Sequence, residues 1–304
     1  GFERNDEMRK QYQRAPIEAS WTVGNYDNTG DGIRAGQQVG AQLDVELMRE
    51  AWWMPATLAP NVKYTNVLMI EKSLPHGIFV NQDAQRFLNE GENYNDLVIK
   101  MYEQDAKDHR SIPAWFIVDK TYRSRYNYGP VLPSFVMPDK KLPPDWQPGA
   151  GWLHRADTLE ELATDIGLDP AALRATVDRF NRFARTGVDE DFRRGASAND
   201  RYYSDPRAKP NPTLGPIETP PFYAIPVTPS DLGTKSGLVT DVGGRVLDEQ
   251  DRPIPGLYAA GNSTSTVMGT RYAGAGATIA PAMVFGFLAA ESAAADAGRD
   301  VTPA

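Results

Sequence analysis

Apolar residues three and four apart in TLEELATDIGLDPAALRATVDRFNRFART, from Thr158 to Thr186, predict two successive helices. The first presents Leu159, Leu162 and Ile166 to a core, and the second Leu173, Val177 and Phe180. Thr158 with Glu161 forms a capping box for the first, and Pro170 after Asp169 starts the second. HGIFVN (76–81) and AWFIVD (114–119) are short apolar runs, the first of them strand-like. GLVTDVGGRVLDEQDRPIPGLYAAGN predicts a hairpin turning near Gly243 and Gly244, then a loop and a short buried strand from Gly256 to Ala260. Helical spacing of Ile33, Val39 and Leu43 predicts a helix over Asp31 to Met48, with Asn28 and Thr29 as cap residues. Two proline-rich stretches, VLPSFVMPDKKLPPDWQPG and YYSDPRAKPNPTLGPIETPP, rule out regular structure, and the second marks a domain boundary.

The stretch GTRYAGAGATIAPAMVFGFLAA (269–290) sets a tyrosine and small residues ahead of a helix that is apolar almost all round. Gly274 and Gly276 lack a Cβ, so a flat ligand can approach the backbone there. The unpaired amides of a helix N-terminus, with the helix dipole, stabilise negative charge. Ile279, Ala282, Met283, Phe285 and Phe287 predict that this helix is buried. The stretch is either the seat of an electron-rich ring or an enolate oxygen, or a tightly packed helix pair that small residues serve equally well. Gly30-x-Gly32-x-x-Ala35 matches a dinucleotide fingerprint on paper. The polar, turn-rich WTVGNYDN stands where a hydrophobic strand should precede it, so a glycine-bounded helix start is an equal reading.

With 304 residues, 41% of them hydrophobic, the chain has material for one large core or two smaller ones. A net charge of -8 with no basic run argues against a nucleic-acid or anionic-membrane surface. The absence of cysteine excludes disulfides and thiolate chemistry, and three scattered histidines give no ligand spacing, so no metal site is expected. No run of about 18 consecutive apolar residues free of charge is present, and no membrane span is expected. The opening GFERNDEMRKQYQRAP reads either as the interior of a longer protein or as a processed start.

The pattern PIPGLYAAGNSTSTVMGTRYAGAGATIAPAMVFGFLAA resembles the C-terminal signature of FAD-dependent 3-ketosteroid dehydrogenases, most nearly the Δ1-dehydrogenases, of the flavoprotein superfamily that includes fumarate reductase. NTGDGIRAG, EAWWMP, LPHGIFVNQDAQRFLNE, PAWFIVD and FYAIPVTPSDLGTKSGLVTD agree in the same order, so the resemblance covers essentially the whole chain. It implies an α/β fold, part of a Rossmann-like FAD-binding domain (1–56 and 226–304) with an inserted α+β substrate or capping domain (57–225). It implies FAD contacts at Thr29, Gly30, Asp31 and Gly32, at Gly261 and Asn262, and at Gly276, Ala277, Thr278 and Ile279. The family's N-terminal GxGxxG unit is expected upstream of GFERND, on a second chain of a split enzyme or in the remainder of a fragment. A cytoplasmic location is expected, with peripheral membrane association left open.

The resemblance also implies a reaction: removal of a C2 proton and a C1 hydride from the A ring of a 3-ketosteroid, the hydride passing to flavin N5. Tyr272 and the Gly276 backbone N–H match the groups that hold the C3 oxygen, and Tyr94 matches the general base. A further tyrosine that assists the base in this family belongs to the N-terminal part. Ala273 stands where the family usually has proline, Gln85 where glycine or arginine is common, and Ser236 where a second glycine is common. The aromatic group Tyr122, Tyr126, Tyr128 and Trp115 lines a steroid cleft or forms core. Three alternatives remain: a Δ4-forming dehydrogenase, another dehydrogenase or ene-reductase of the fumarate reductase superfamily, and a non-catalytic subunit that completes a partner's flavin site. The fumarate-reductase type needs arginine and histidine for a dicarboxylate, and Arg271 is the cation near the loop. The electron acceptor is left open.

Overall fold

The computed structural model describes residues 1–298. In chain order the elements are α1 (Asp6–Tyr12), α2 (Asp31–Gln38), α3 (Val45–Met48), β1 (Ala51–Thr57), β2 (Asn66–Val67), β3 (Gly77–Val80), α4 (Tyr94–Asp108), β4 (Ala114–Asp119), α5 (Lys120–Arg125), β5 (His154–Ala156), α6 (Leu159–Asp165), α7 (Pro170–Thr186), α8 (Ala198–Tyr202), β6 (Phe222–Thr234), β7 (Arg245–Leu247), β8 (Pro253–Tyr258) and α9 (Ile279–Asp296). They divide into two compact units, Gly1–Trp53 with the chain from Asp231 onwards, and Met54–Ser230. Both connections between the units run inside strands, β1 and β6. Of the expected 226–304 segment, positions 299–304 lie outside the described residues.

Unit Met54–Ser230 is built on a sheet of order β2-β1-β6-β4-β3, with β5 also on β6. Strands β3 and β4 pair antiparallel from Gly77↔Val118 to Val80↔Trp115, and β4 with β6 from Ala114↔Val227 to Asp119↔Phe222. The two helices expected after the proline-rich loop are α6 and α7. Their apolar stripes, Leu162, Leu173 and Phe180 among them, join Ile78, Val80 and Ile117 of the strands in one core. The capping box is made in both directions: Glu161 N–H donates to Thr158 Oγ1 at 3.1 Å, and Thr158 N–H to Glu161 Oε2 at 3.2 Å.

Tyr122, Tyr126 and Tyr128 are buried around Phe116 and belong to the core. Burial pushes the phenols of Tyr122 and Tyr128 well above the ordinary range, so neither accepts a proton near neutral pH.

Beneath the loop that leads into α4 lies a buried charge cluster. Arg86 grips Glu90 with Nε at 3.0 Å and Nη2 at 2.7 Å, and Asp189 at 3.2 and 3.0 Å. Arg194, fully buried, donates to Glu90 Oε2 at 3.2 Å and to the carbonyls of Gly77 and Leu74 at 2.8 Å each. Lys72, 1% exposed, donates to Ser73 Oγ at 3.1 Å and to the carbonyls of Glu90 and Glu92 at 3.0 and 2.5 Å. Desolvation, helped by Arg194, outweighs the pull of Asp200, Glu90 and Glu92 and lowers its ammonium to about 7. Between that value and the ordinary lysine range near about 10.4, the unfolded chain binds more protons than the folded one, so this group makes stability rise with pH. Lys72→Met is expected to flatten that rise. Urea midpoints of both proteins from pH 7 to 10 check it, and parallel curves would contradict it.

In the other unit, Arg9 and Asp231 form a fully buried ion pair at 2.7 Å, and Phe2, Met8, Ile33 and Met48 make a small core. The helix expected over Asp31 to Met48 is interrupted. α2 stops at Gln38, Gly40 turns the chain at φ +88, and Ala41 and Leu43 bridge to Asp248 and Leu238 before Asp44 caps α3. The residue opening α2 is Gly30, at φ +83, rather than Asn28 or Thr29. The turn expected near Gly243 and Gly244 forms, with Thr240 bridging Val246 across it, and β7 also pairs antiparallel with β8, which was not expected. The strand expected to be buried at Gly256 is β8, no residue of which is buried.

α9 also departs from expectation. Ile279, Met283 and Phe287 are 65, 70 and 63% exposed, because among the described residues little beyond β8 and the turn at Gly261–Ser263 packs on it. By length and composition, with mean hydropathy 1.3, this helix could cross a membrane, which the sequence reading did not anticipate. Its far end is held by polar contacts: Asp296 accepts from Arg245 at 2.8 and 2.9 Å and from the Tyr258 hydroxyl at 2.5 Å.

Candidate functional site

At the N-terminus of α9, the loop between Gly261 and Thr278 closes a cavity of about 140 Å³ whose lining includes Trp52, Gly261, Asn262, Ala277, Thr278 and Phe285. Two candidate regions sixteen positions apart in sequence thereby meet, Gly261–Asn262 and Ala277–Thr278. Trp52, 2% exposed, donates from Nε1 to Asn262 Oδ1 at 3.1 Å. Tyr272 is half-buried, its ring edge-on to Trp52 with centroids 5.8 Å apart and planes at 61°. Gly274 and Gly276 sit at φ +120 and +94, and a Cβ on either would meet nothing within 4 Å. Only glycine takes up these backbone angles without strain, and the space beside them is open. Thr278 makes no side-chain capping bond, so its own side chain does not compete for the first amides of α9.

Gly276 and Ile279 flank this cavity without lining it, and Ile279 is exposed. Thr29, Gly30, Asp31 and Gly32 do not line it either. They form the turn into α2, where Gly30 N–H donates to Gly1 O at 2.9 Å and Thr29 Oγ1 to Asp31 Oδ2 at 3.0 Å, while Asp31 pairs with Arg34 on the surface. Tyr94 belongs to the other unit. It is buried at the first position of α4, a helix capped by Asn93, whose Oδ1 accepts from Asn95 N–H at 2.8 Å.

Lys235 was not among the expected residues. It follows β6, is 1% exposed, donates from Nζ to Arg271 O at 2.5 Å, and lies 4.7 Å from the Trp52 ring centroid. Lys235 lies within FYAIPVTPSDLGTKSGLVTD and Trp52 within EAWWMP, both stretches that carry the resemblance, but a buried lysine has no periodicity signal. Ser236, one of the departures from the family pattern, is buried and donates to Asp44 O at 3.2 Å, whereas Ala273 is exposed.

The FAD binding domain family matches residues 1–279. The chain belongs to that family. This FAD binding domain is 49% identical over 301 residues to a 3-oxosteroid 1-dehydrogenase of Mycolicibacterium smegmatis, covering 98% of this chain and 51% of the relative. A 4-oxocyclohexanecarboxylate 2-dehydrogenase of Sinomonas cyclohexanicum is 39% identical, over 89% of this chain and 46% of the relative. Among solved structures, the 3-ketosteroid Δ1-dehydrogenase of Sterolibacterium denitrificans in complex with 1,4-androstadiene-3,17-dione superposes with a TM-score of 0.92 at 45% identity, over 97% of this chain and 52% of that one. The resemblance read from the sequence, its fold class and its cofactor are therefore borne out. The chain spans about half the length of the relatives it matches.

The residues present fit FAD. The uncapped start of α9, the open backbone at Gly274 and Gly276 and the polar cavity wall at Asn262 and Thr278 suit a flat ring whose charge grows on reduction. Gly32 likewise has open space at its Cβ position, so the turn into α2 leaves its backbone accessible.

Proposed function

We propose that the chain is the greater part of the catalytic machinery of an FAD-dependent 3-ketosteroid Δ1-dehydrogenase, forming the C1–C2 double bond of the A ring. The observation that carries this is Tyr272, braced edge-on by buried Trp52 beside the open glycine backbone and the uncapped start of α9. A phenol and a backbone N–H converging on one carbonyl oxygen make an enolate-stabilising pair, and Gly276 offers that N–H with no side chain in the way. Support for the substrate class comes from the two relatives named above, each of whose names describes dehydrogenation of a cyclic oxo compound.

In this reading Tyr272 and the Gly276 N–H hold the C3 oxygen, which acidifies the C2 proton, and Tyr94 accepts that proton. Tyr94 opens a helix whose first N–H groups favour an anion, the physical help a tyrosine needs to act as a base. Thr29, Gly30, Asp31, Gly32, Gly261, Asn262, Ala277, Thr278 and Ile279 hold FAD, which when bound supplies the hydride acceptor. The uncovered apolar face of α9 supports a further polypeptide part, one carrying the dinucleotide-binding unit, packed against it. A cytoplasmic location belongs to the same proposal.

The FAD-loaded protein is expected to lose its visible flavin absorbance on anaerobic addition of a 3-keto-4-ene steroid, and to yield the 1,4-diene in an amount matching the flavin reduced. Loaded protein that stays coloured with this substrate overturns the reading. Bleaching only by a saturated 3-ketosteroid, with a 4-ene product, points to Δ4 formation instead.

A further inference from the structure

We infer that Lys235 is a positioning residue for Tyr272, an inference that rests on the carbonyl-binding role proposed above. Lys235 is anchored at the end of β6, a long strand buried along most of its length, and its ammonium is almost wholly out of water. Burying an ammonium is costly unless it is held, and two of its contacts lead to Tyr272. One is the carbonyl of Arg271, the residue directly before Tyr272, at 2.5 Å. Another is the face of Trp52, at 4.7 Å, and the same indole meets the Tyr272 ring edge-on at 5.8 Å while its Nε1 is bound to Asn262.

The segment around Tyr272 needs such a hold. Gly269, Gly274 and Gly276 all sit at positive φ, and the intervening backbone is fastened by short-range bonds such as Arg271 N–H to Met268 O at 3.1 Å and Ala277 N–H to Gly274 O at 3.1 Å. A glycine-rich loop gives up much conformational freedom when it orders. Lys235 ties this loop from both sides, through the backbone before Tyr272 and through the indole that supports its ring.

The test is a double-mutant cycle in the FAD-loaded protein with a 3-keto-4-ene steroid, comparing Lys235→Met, Lys235→Arg, Tyr272→Phe and the Lys235→Met/Tyr272→Phe pair. Steady-state kinetics is joined by equilibrium steroid binding to the oxidised protein, read from tryptophan fluorescence. Lys235→Met is expected to lower kcat about 10- to 100-fold, the scale of a misplaced catalytic group, and to weaken steroid binding. In the Tyr272→Phe background the same change should cost less than about twofold, since the two act as one unit. Lys235→Arg, which keeps the charge and a donor, should restore most of the loss.

Independent, multiplying losses overturn the proposal, as does a Lys235→Met protein with unchanged kcat and affinity. If Tyr272→Phe lowers kcat and Lys235→Met does not, the Lys235 role alone falls. If Tyr272→Phe keeps full kcat, the carbonyl-binding role falls first. Should Lys235→Met fold poorly by its urea midpoint, Trp52→Leu carries the same cycle, because it removes the indole link and leaves the bond to Arg271 intact.

Discussion

Tyr94→Phe is expected to lower kcat for 3-keto-4-ene steroid oxidation by the FAD-loaded protein about 10²- to 10⁴-fold, the range that a positioned general base supplies. Steroid affinity should change little. The variant keeps the ring that is buried at the head of α4 and deletes only the oxygen, so the core around Leu97, Val98 and Met101 stays filled. Asn93 still caps the helix through its own side chain, which does not depend on the phenol. Loss of the base should also abolish the part of the kcat/KM pH profile that reports its deprotonation. A Tyr94→Phe enzyme with full kcat and an unchanged profile would move the base to another residue and leave the Tyr272 role standing.

The second large effect concerns stability. Glu90→Leu is expected to cost the chain about 3 to 5 kcal/mol, because removing one partner of a buried pair leaves the others uncompensated. Here Arg194 loses its carboxylate, Arg86 keeps only Asp189, and Phe79 N–H, which donates to Glu90 Oε1 at 3.1 Å, loses its acceptor. Urea unfolding checks it, and adding Arg194→Met should recover part of the loss. A Glu90→Leu chain with an unchanged midpoint would contradict the cluster.

The same carboxylate sets a direction with pH. Desolvation pushes Glu90 up, but Arg86 and Arg194 overcome it and hold the group below its ordinary value. The stability it contributes is therefore present above the ordinary glutamate range and is lost as pH falls through the depressed folded value.

Helices and strands with a strong pattern were legible in the sequence. Thr158 and Glu161 announced a capping box, and AWFIVD a short apolar run that forms β4, because local chemistry alone decides such features. The break at Gly40 was not legible, since the residues that take over there bridge to Leu238 and Asp248, far along the chain. The exposure of α9 and β8 was not legible either: an apolar helix reads as buried whether or not the chain contains what buries it. At the site, the family resemblance brought Tyr272, Gly276 and Asn262 to attention. Lys235, Lys72 and Glu90 escaped, because isolated charges look alike in sequence whether they face water or lie in a core.

The arrangement of the two units has a consequence for synthesis on the ribosome. Met54–Ser230 is continuous and emerges as one piece, able to complete its sheet and helices as soon as it clears the exit tunnel. The other unit is assembled from segments on either side of it, and its buried Arg9 must wait for Asp231, as the Phe2 backbone N–H must for Thr234. At ordinary elongation rates that wait is on the order of ten seconds or more. Throughout it residues 1–53 carry an arginine without its carboxylate partner, so chaperone contact with this nascent segment should end when β6 is delivered.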